Sequence, residues 1–207
     1  CMGNQSIAID FISISYYDLN YKKNNPTNSN KINEDYNIPK NANYHTNSLE
    51  FKENFFDNRN GWPIQDDYSI ALLDIINGYY YIENKNEDGC VSQKKIDGFN
   101  KNDQFQLNSK FINLSDNEDG YGIIIGDPYG ECYWFLISND GTFLIMKQQS
   151  LEEVSIVIPW TFSSHINQGS KVENTFQIIK ENYKFIFKIN NNFLGDLVIN
   201  KQFSNKS

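Results

Sequence analysis

The stretch that decides the fold class lies near the carboxyl end, where residues 176–199 read FQIIKENYKFIFKINNNFLGDLVI. In its middle, an apolar side chain stands at every second position, at Tyr183, Phe185, Phe187 and Ile189. Successive side chains of a strand point to opposite faces, so this alternation predicts a half-buried strand. The asparagines at 190–192 predict a turn, and residues 193–199 then predict a further strand.

Similar short strands recur back to residue 48, separated by turn signals such as Asn77-Gly78 and Asn139-Asp140-Gly141. No segment shows the apolar periodicity of a long amphipathic helix. Many short strands with turns at intervals of roughly 8–12 residues are typical of a β-sandwich or barrel. The sequence therefore predicts an all-β domain over 48–207, with strands at 68–73, 79–83, 105–112, 121–125, 132–137, 142–146, 154–158, 176–179, 183–189 and 193–199.

Two different segments precede this domain. Residues 1–21 contain a strand-like alternation that changes phase between Phe11 and Ile12, which predicts an N-terminal strand with a bulge near that point. Residues 22–47 are rich in asparagine and have no apolar periodicity, so they predict a linker or an extended arm. A partner surface is a candidate for what would order such an arm.

The composition excludes some classes of function. The chain has 207 residues, of which 39% are hydrophobic and 15% aromatic, so it can bury a substantial core. Its formal net charge of −8 argues against a nucleic-acid partner. Arg59 is the only arginine, which disfavours a site built on several bidentate contacts to phosphate or carboxylate groups. The sequence contains no run of 18 apolar residues, so it predicts no membrane-spanning segment.

The cysteines suggest a cellular location. The sequence begins at Cys1, and mature bacterial lipoproteins begin with a cysteine that carries the lipid. We therefore expect lipid attachment and membrane anchoring through Cys1, the alternative being that residue 1 is only a domain boundary. Cys90 and Cys132 both lie in strand-like segments, so they predict either a disulfide in an exported protein or two reduced thiols that pack as small apolar groups.

Residues 48–200 resemble the concanavalin A-like jelly rolls, in particular laminin-G-like domains and the bacterial 3-keto-disaccharide-hydrolase-like domains. The residues that carry the resemblance are FFDNRNGW at 55–62, GYYYI at 78–82, GYGII at 120–124, YWF at 133–135, and the ending at 183–191 with Gly195. The resemblance implies a concanavalin A-like β-sandwich, a jelly roll, with an extended N-terminal segment. It is a pattern of turns and aromatic residues and carries no catalytic signature.

The composition is also similar to that of proteins from AT-rich genomes, because arginine is rare while asparagine and lysine are abundant. Bacteroidota carry many such domains on outer-membrane lipoproteins. This resemblance implies a lipoprotein of the cell envelope, on the periplasmic or the cell-surface face of the outer membrane. The acidic export signal that often follows the lipidated cysteine is absent, since residues 2–6 carry no charge.

The acidic residues do not form a catalytic pattern. Glycosidases need two carboxylates that flank a cleft, and hydrolases of this clan place them as Glu-x-Asp-x-x-Glu on one strand, a run that this chain lacks. We therefore expect Glu131, Glu152 and Glu153 to be solvated surface acids. The two histidines, His45 and His165, form no recognisable Ser-His-Asp catalytic pattern with other residues. We expect no enzyme activity and no cofactor. Calcium is one option at Asp116, Glu118 and Asp119, and an ordinary acidic turn is the other.

Four aromatic residues are candidates for ligand binding: Tyr129, Trp160, Tyr79 and Tyr81. Tyr129, in a Pro-Tyr-Gly turn, is expected to be the most exposed, whereas core packing is the preferred expectation for all three tryptophans, Trp62, Trp134 and Trp160. The favoured function is a non-catalytic lipoprotein whose sandwich and N-terminal arm bind other proteins of an outer-membrane or surface complex. The alternative is a carbohydrate-binding module that binds surface glycans, and a glycan-active hydrolase is less favoured.

Overall fold

The computed structural model describes residues 50–65, 71–85, 90–96, 104–116 and 118–199, together with the backbone of residues 5–16. Within these ranges there are twelve strands and no helix, and therefore no helix that could serve as a membrane span. The strands are β1 (Gln5–Tyr16), β2 (Glu50–Glu53), β3 (Ala71–Ile76), β4 (Tyr79–Asn84), β5 (Phe105–Asn113), β6 (Tyr121–Gly126), β7 (Cys132–Ile137), β8 (Thr142–Ser150), β9 (Glu153–Phe162), β10 (Val172–Glu181), β11 (Lys184–Ile189) and β12 (Asn192–Val198). The predicted all-β class is confirmed.

The described strands form two antiparallel sheets. The large sheet has eight strands in the order β12-β11-β10-β5-β1-β4-β3, with β2 paired to β1, and the small sheet has the order β6-β7-β8-β9. β1 lies inside the large sheet, where it pairs with β5, β4 and β2, and its register with β5 shifts between Ile9 and Phe11. Residues 5–16 are thus hydrogen-bonded to the sandwich, whereas Cys1, His45 and the predicted arm at 22–47 lie outside the described residues.

The core lies between the two sheets and is largely aromatic. Phe185 and Phe187 of β11 are fully buried, as the alternation predicted, and they pack against Phe135 of β7 with ring centroids 5.6 Å away in both cases. Tyr133 lies 4.8 Å from Phe185 by the same measure. Each buried phenylalanine stabilises the fold by about 1.5–3 kcal/mol. The contacts cross from one sheet to the other, which is the packing of a β-sandwich.

The FFDNRNGW motif is a loop held together by one buried carboxylate. Glu53 accepts hydrogen bonds from the backbone N–H groups of Asn54 and Phe55 (2.9 Å each), from Asn60 Nδ2 (2.7 Å) and from Trp62 Nε1 (2.9 Å). Phe55 has a positive φ of 54°, and the loop turns there so that its ring enters the core. Trp62 is buried against it, as expected, with ring centroids 5.3 Å apart.

The abundant asparagines have a structural use at one end of the sandwich. The Asn174 side chain is fully buried; its amide donates to the Asn167 carbonyl (3.0 Å), and its oxygen accepts from Asn190 Nδ2 (2.9 Å). Asn113, also fully buried, donates to Asn139 Oδ1, and Asn139 donates to the Ser115 carbonyl (2.8 Å). These amides join loops of both sheets and satisfy one another, as buried polar groups must.

Candidate functional site

The side of the small sheet that faces away from the large sheet is apolar. On β7, Tyr133, Phe135 and Ile137 are buried in the core, so the alternate residues Trp134 and Leu136 point outward. Directly opposite residues of an antiparallel pair share a face. The partners of Trp134 and Leu136 on β8, Met146 and Leu144, are therefore outward too, and so is Ile124 of β6, which pairs with Trp134.

β9 extends this surface with exposed side chains. Ile156 pairs with Met146, and Phe162 pairs with Thr142, so both lie on the outward side of the sheet. Val154, Ile156, Trp160 and Phe162 are 50%, 64%, 46% and 62% exposed. We call the surface formed by these four residues with Ile124, Trp134, Leu136 and Met146 the outer face; Leu144, on the same side of the sheet, is buried beneath it. Single exposed apolar residues are ordinary, but a contiguous group of them makes the outer face a candidate interaction site.

Trp160 lies across the outer face, and its predicted core position is wrong. An ideal Cβ built on Gly120 would lie 2.7 Å from Cη2 of the Trp160 indole and 3.6 Å from Leu136 Cδ1. The ring therefore occupies space that the missing side chain of Gly120 leaves over the start of β6. Its other surface is open because β9 is the last strand of the small sheet and no second layer covers its outward side among the described residues.

Two irregularities in β9 decide which of its residues face outward. Val154, Ile156, Ile158, Trp160 and Phe162 alternate along the sequence, and a regular strand would place all five on one side. The register with β8 shifts between Phe143 and Ile145 and again between Ile145 and Met146. These shifts turn Ile158 inward, opposite buried Ile145, where its Cδ1 packs over Gly195 of β12.

The free edge of β9 is poorly suited to accept another strand. Its three register shifts against β8 bend the strand, and Pro159 has no N–H to donate. Bulges and prolines are devices by which edge strands resist pairing with other chains. The accessible feature is therefore the outer face and not the hydrogen-bonding edge.

The small sheet also carries most of the net charge. Residues 114–162, which include the sheet and its turns, contain eight acidic residues and one basic residue, Lys147, a formal net charge of −7 out of −8 for the chain. The acidic residues lie before β6, in the turns of the small sheet or at the first position of β9, at Asp116, Glu118, Asp119, Asp127, Glu131, Asp140, Glu152 and Glu153. We call this group the acidic rim.

The structure separates the four predicted ligand-binding aromatics. Tyr79 and Tyr81 line one open cavity of about 360 Å³ with Ile76, Asn77, Ile112 and Leu114. It lies on the large sheet, on the side away from the core, since Tyr80 between them is fully buried. Tyr129 is 75% exposed, as predicted, in the turn after β6. Trp160 lies at the other end of β6, about 20 Å away by the rise of a six-residue strand.

Cys90 and Cys132 are free thiols in the structure, and no disulfide joins them. Cys132 is fully buried on the outward side of β7, opposite Gln148, and its Sγ accepts a hydrogen bond from Trp134 Nε1 at 3.1 Å. Cys90 instead packs against the core between the sheets, and this burial raises the pKa of its thiol. The two sulfurs therefore belong to different layers of the molecule.

The structure does not assemble the acidic candidates into a metal site. Among the residues that are described, no three histidine, cysteine, aspartate or glutamate side chains come together as ligands would. Asp116 and Glu118 are exposed, and so are Glu152 and Glu153. Glu131 accepts a hydrogen bond from the Tyr133 hydroxyl at 3.1 Å. These residues belong to the acidic rim, which is spread over the two ends of the small sheet.

The outer face was missed by the sequence analysis, although a signal existed. Residues 154–162 have an apolar residue at every even position, which extends the predicted strand beyond residue 158. No family model, curated protein or solved structure matches this chain.

Proposed function

We propose that the protein is a non-catalytic interaction subunit of the cell envelope that binds another protein through the outer face of its small sheet. The observation that carries the proposal is the outer face itself, a contiguous apolar surface on a chain that is otherwise rich in polar residues. Trp160 and Phe162 are the anchor residues, because large aromatic side chains supply most of the binding energy in protein interfaces.

The cellular setting is part of the same proposal. Cys1 carries a lipid that tethers the chain to the outer membrane, and the sandwich presents the outer face to a membrane-associated partner. The absence of a paired-carboxylate run in the sequence supports a role in binding and not in hydrolysis. We further propose that the sandwich is of the concanavalin A-like jelly-roll type, which the two antiparallel sheets and the crossovers of the large sheet support.

Affinity purification from gently solubilised native membranes tests the function. The tagged full-length protein is compared with a double variant, Ile156→Ser with Phe162→Ser, and co-purified proteins are quantified by mass spectrometry. We expect a stoichiometric partner whose recovery falls at least about tenfold in the double variant, because the partner then no longer buries Phe162, an anchor, or the neighbouring Ile156, and this loss costs more than about 2 kcal/mol. The same spectra report a lipid mass on Cys1.

A matched control lies on the opposite layer. Phe193 is exposed and pairs with Lys188 on the outward side of the large sheet. Phe193→Ser removes one phenylalanine about as exposed as Phe162 and is expected to leave recovery of the partner unchanged. Equal recovery with the wild type and the double variant would overturn the proposal.

A second candidate function, carbohydrate binding, is supported by the cavity beside Tyr79 and Tyr81. Two tyrosine rings beside the Asn77 amide provide the apolar surface and polar group that sugars require. Saturable binding on a glycan array, lost in Tyr81→Ala and retained in the Ile156→Ser, Phe162→Ser variant, would establish this function. Binding that survives Tyr81→Ala would exclude the cavity.

A further inference from the structure

We infer that the outer face binds a basic amphipathic segment of another protein, whose apolar residues cover the outer face while its lysines and arginines meet the acidic rim. This inference rests on the proposed function and adds the chemistry of the partner. It follows from three properties of the small sheet: acidic residues lie at both ends of its strands, its single lysine lies on the inward side, and its edge strand β9 is unsuited to strand addition.

The charges lie at both ends of the apolar strands. Glu152 and Glu153 immediately precede Val154, the first residue of the outer face on β9. At the other end, Asp119 precedes Gly120, over which the Trp160 ring lies, and Asp140 occupies the turn between β7 and β8. A partner that covers the outer face therefore meets carboxylates at each end of the strands.

In residues 114–162 the acidic side chains outnumber the basic ones by eight to one. The Thr142 hydroxyl, 2.6 Å from Asp140 Oδ1, holds the pKa of that carboxyl below its usual range. Lys147, the one basic residue of this region, pairs with Tyr133 and so lies on the inward side of β8. Among the described residues of 114–162, no basic residue therefore lies on the outward side.

This charge distribution selects among the occupants that an apolar face could have. A second copy of this chain would bring one strongly acidic rim against another, and like charges across an interface disfavour association. An anionic membrane surface is disfavoured for the same reason. A basic partner is attracted over a distance of about 10 Å at moderate salt, which also speeds its encounter.

The irregular edge of β9 limits the ways in which a partner can contact the small sheet. Pro159 and the register shifts oppose strand addition, so the apolar contacts must come from side chains laid across β7, β8 and β9. An amphipathic segment provides such a surface, with apolar residues on one side and charges at their margin.

Two synthetic peptides serve as probes of this chemistry. Both place leucines in the same amphipathic helical pattern and differ only in having lysine or glutamate at the other positions. Binding to the full-length protein is measured by fluorescence anisotropy. We expect saturable binding of the lysine peptide, at least about tenfold tighter than that of the glutamate peptide, and weakened at least about fivefold between roughly 50 and 500 mM salt.

Variants separate the charged from the apolar contribution. The triple variant Glu118→Gln, Glu152→Gln and Glu153→Gln is expected to weaken the lysine peptide about five- to tenfold. The control, Glu173→Gln with Glu181→Gln, removes exposed acids of the large sheet and is expected to change affinity by less than about twofold. Ile156→Ser with Phe162→Ser is expected to abolish saturable binding, with folding verified for each variant by circular dichroism.

The outcomes also distinguish this inference from the proposed function. If the membrane partner is lost in the Ile156→Ser, Phe162→Ser variant but is unaffected by the triple glutamine variant, the outer face is an interface and its partner is not basic. Equal affinity for the two peptides, or no binding of either, overturns the inference. Self-association in sedimentation experiments at roughly 50 mM salt, where the acidic rims repel each other, overturns it as well if it requires Ile156 and Phe162. So does binding to phosphatidylglycerol vesicles that requires the same two residues.

Discussion

Replacing Glu53 by glutamine tests whether one buried carboxylate holds the 53–62 loop in place. The side chain is only 5% exposed and accepts four hydrogen bonds, two at each oxygen. A glutamine keeps one acceptor oxygen, and its NH2 group must then face either two backbone N–H groups or the N–H groups of Asn60 and Trp62. In both orientations two donors lose their acceptor.

The expected loss of stability follows from this count. A buried donor without an acceptor costs about 1–3 kcal/mol, and part-exposed Asn60 can turn to water, so we expect a loss of about 2–4 kcal/mol. With a slope of about 2 kcal/mol per molar urea, the unfolding midpoint falls by about 1–2 M. Tryptophan fluorescence during urea denaturation measures it, because Trp62 leaves the core when this loop unfolds.

The matched control is Glu181→Gln, the same chemical change at an exposed position of β10. We expect its midpoint to remain within about 0.2 M of the wild type, as is usual for surface substitutions. A decrease of less than about 0.5 kcal/mol in Glu53→Gln would refute the reasoning, since it would mean that the donors find other acceptors at little cost.

Three further predictions test the packing and the ionisable groups. Gly122→Ala is expected to destabilise the fold by more than about 2 kcal/mol in the same urea assay, because its Cβ would lie 2.1 Å from a backbone carbonyl oxygen of β7. Burial raises the pKa of Tyr80 and of Tyr121 to about 12, so the unfolded chain loses these protons first and the melting temperature should fall as pH rises from about 10 to about 12. Without reductant, a thiol reagent should modify fully buried Cys132 only after denaturation, and part-exposed Cys90 more readily; an intact disulfide between them in the unfolded chain would contradict the structure.

The local signals that predicted the fold are those that depend on near neighbours. Alternation placed Phe185 and Phe187 in the core, and the Asn77-Gly78 dipeptide occupies a turn in which both residues have positive φ. Both features follow from the geometry of one strand or one turn, so a single sequence contains them.

The features that sequence reasoning missed depend on contacts between distant segments. The bulges that turn Ile158 inward fit β9 over Gly195 on another strand, and Pro159 is the sign of them within residues 153–162. In the sequence, Glu53 resembles an ordinary exposed glutamate, whereas in the structure it accepts hydrogen bonds from four donors of the following loop. Trp160 was assigned to the core because large aromatic residues usually pack there, whereas its strand ends the small sheet and no layer formed by the described residues covers it.

The outer face and the acidic rim have opposite effects on self-association of the free protein. An exposed apolar face with Ile156 and Phe162 at its margin favours self-association, which buries the same surface in any orientation. The acidic rim opposes that outcome, because two copies that meet through this face bring two formal charges of −7 together. Raising the salt concentration screens this repulsion while leaving apolar attraction intact. The free protein is therefore expected to dimerise in high salt where it remains monomeric in low salt, and Ile156→Ser is expected to abolish the change. A salt-independent monomer would show that the outer face is too weakly apolar to need protection, and would remove the physical reason for the rim.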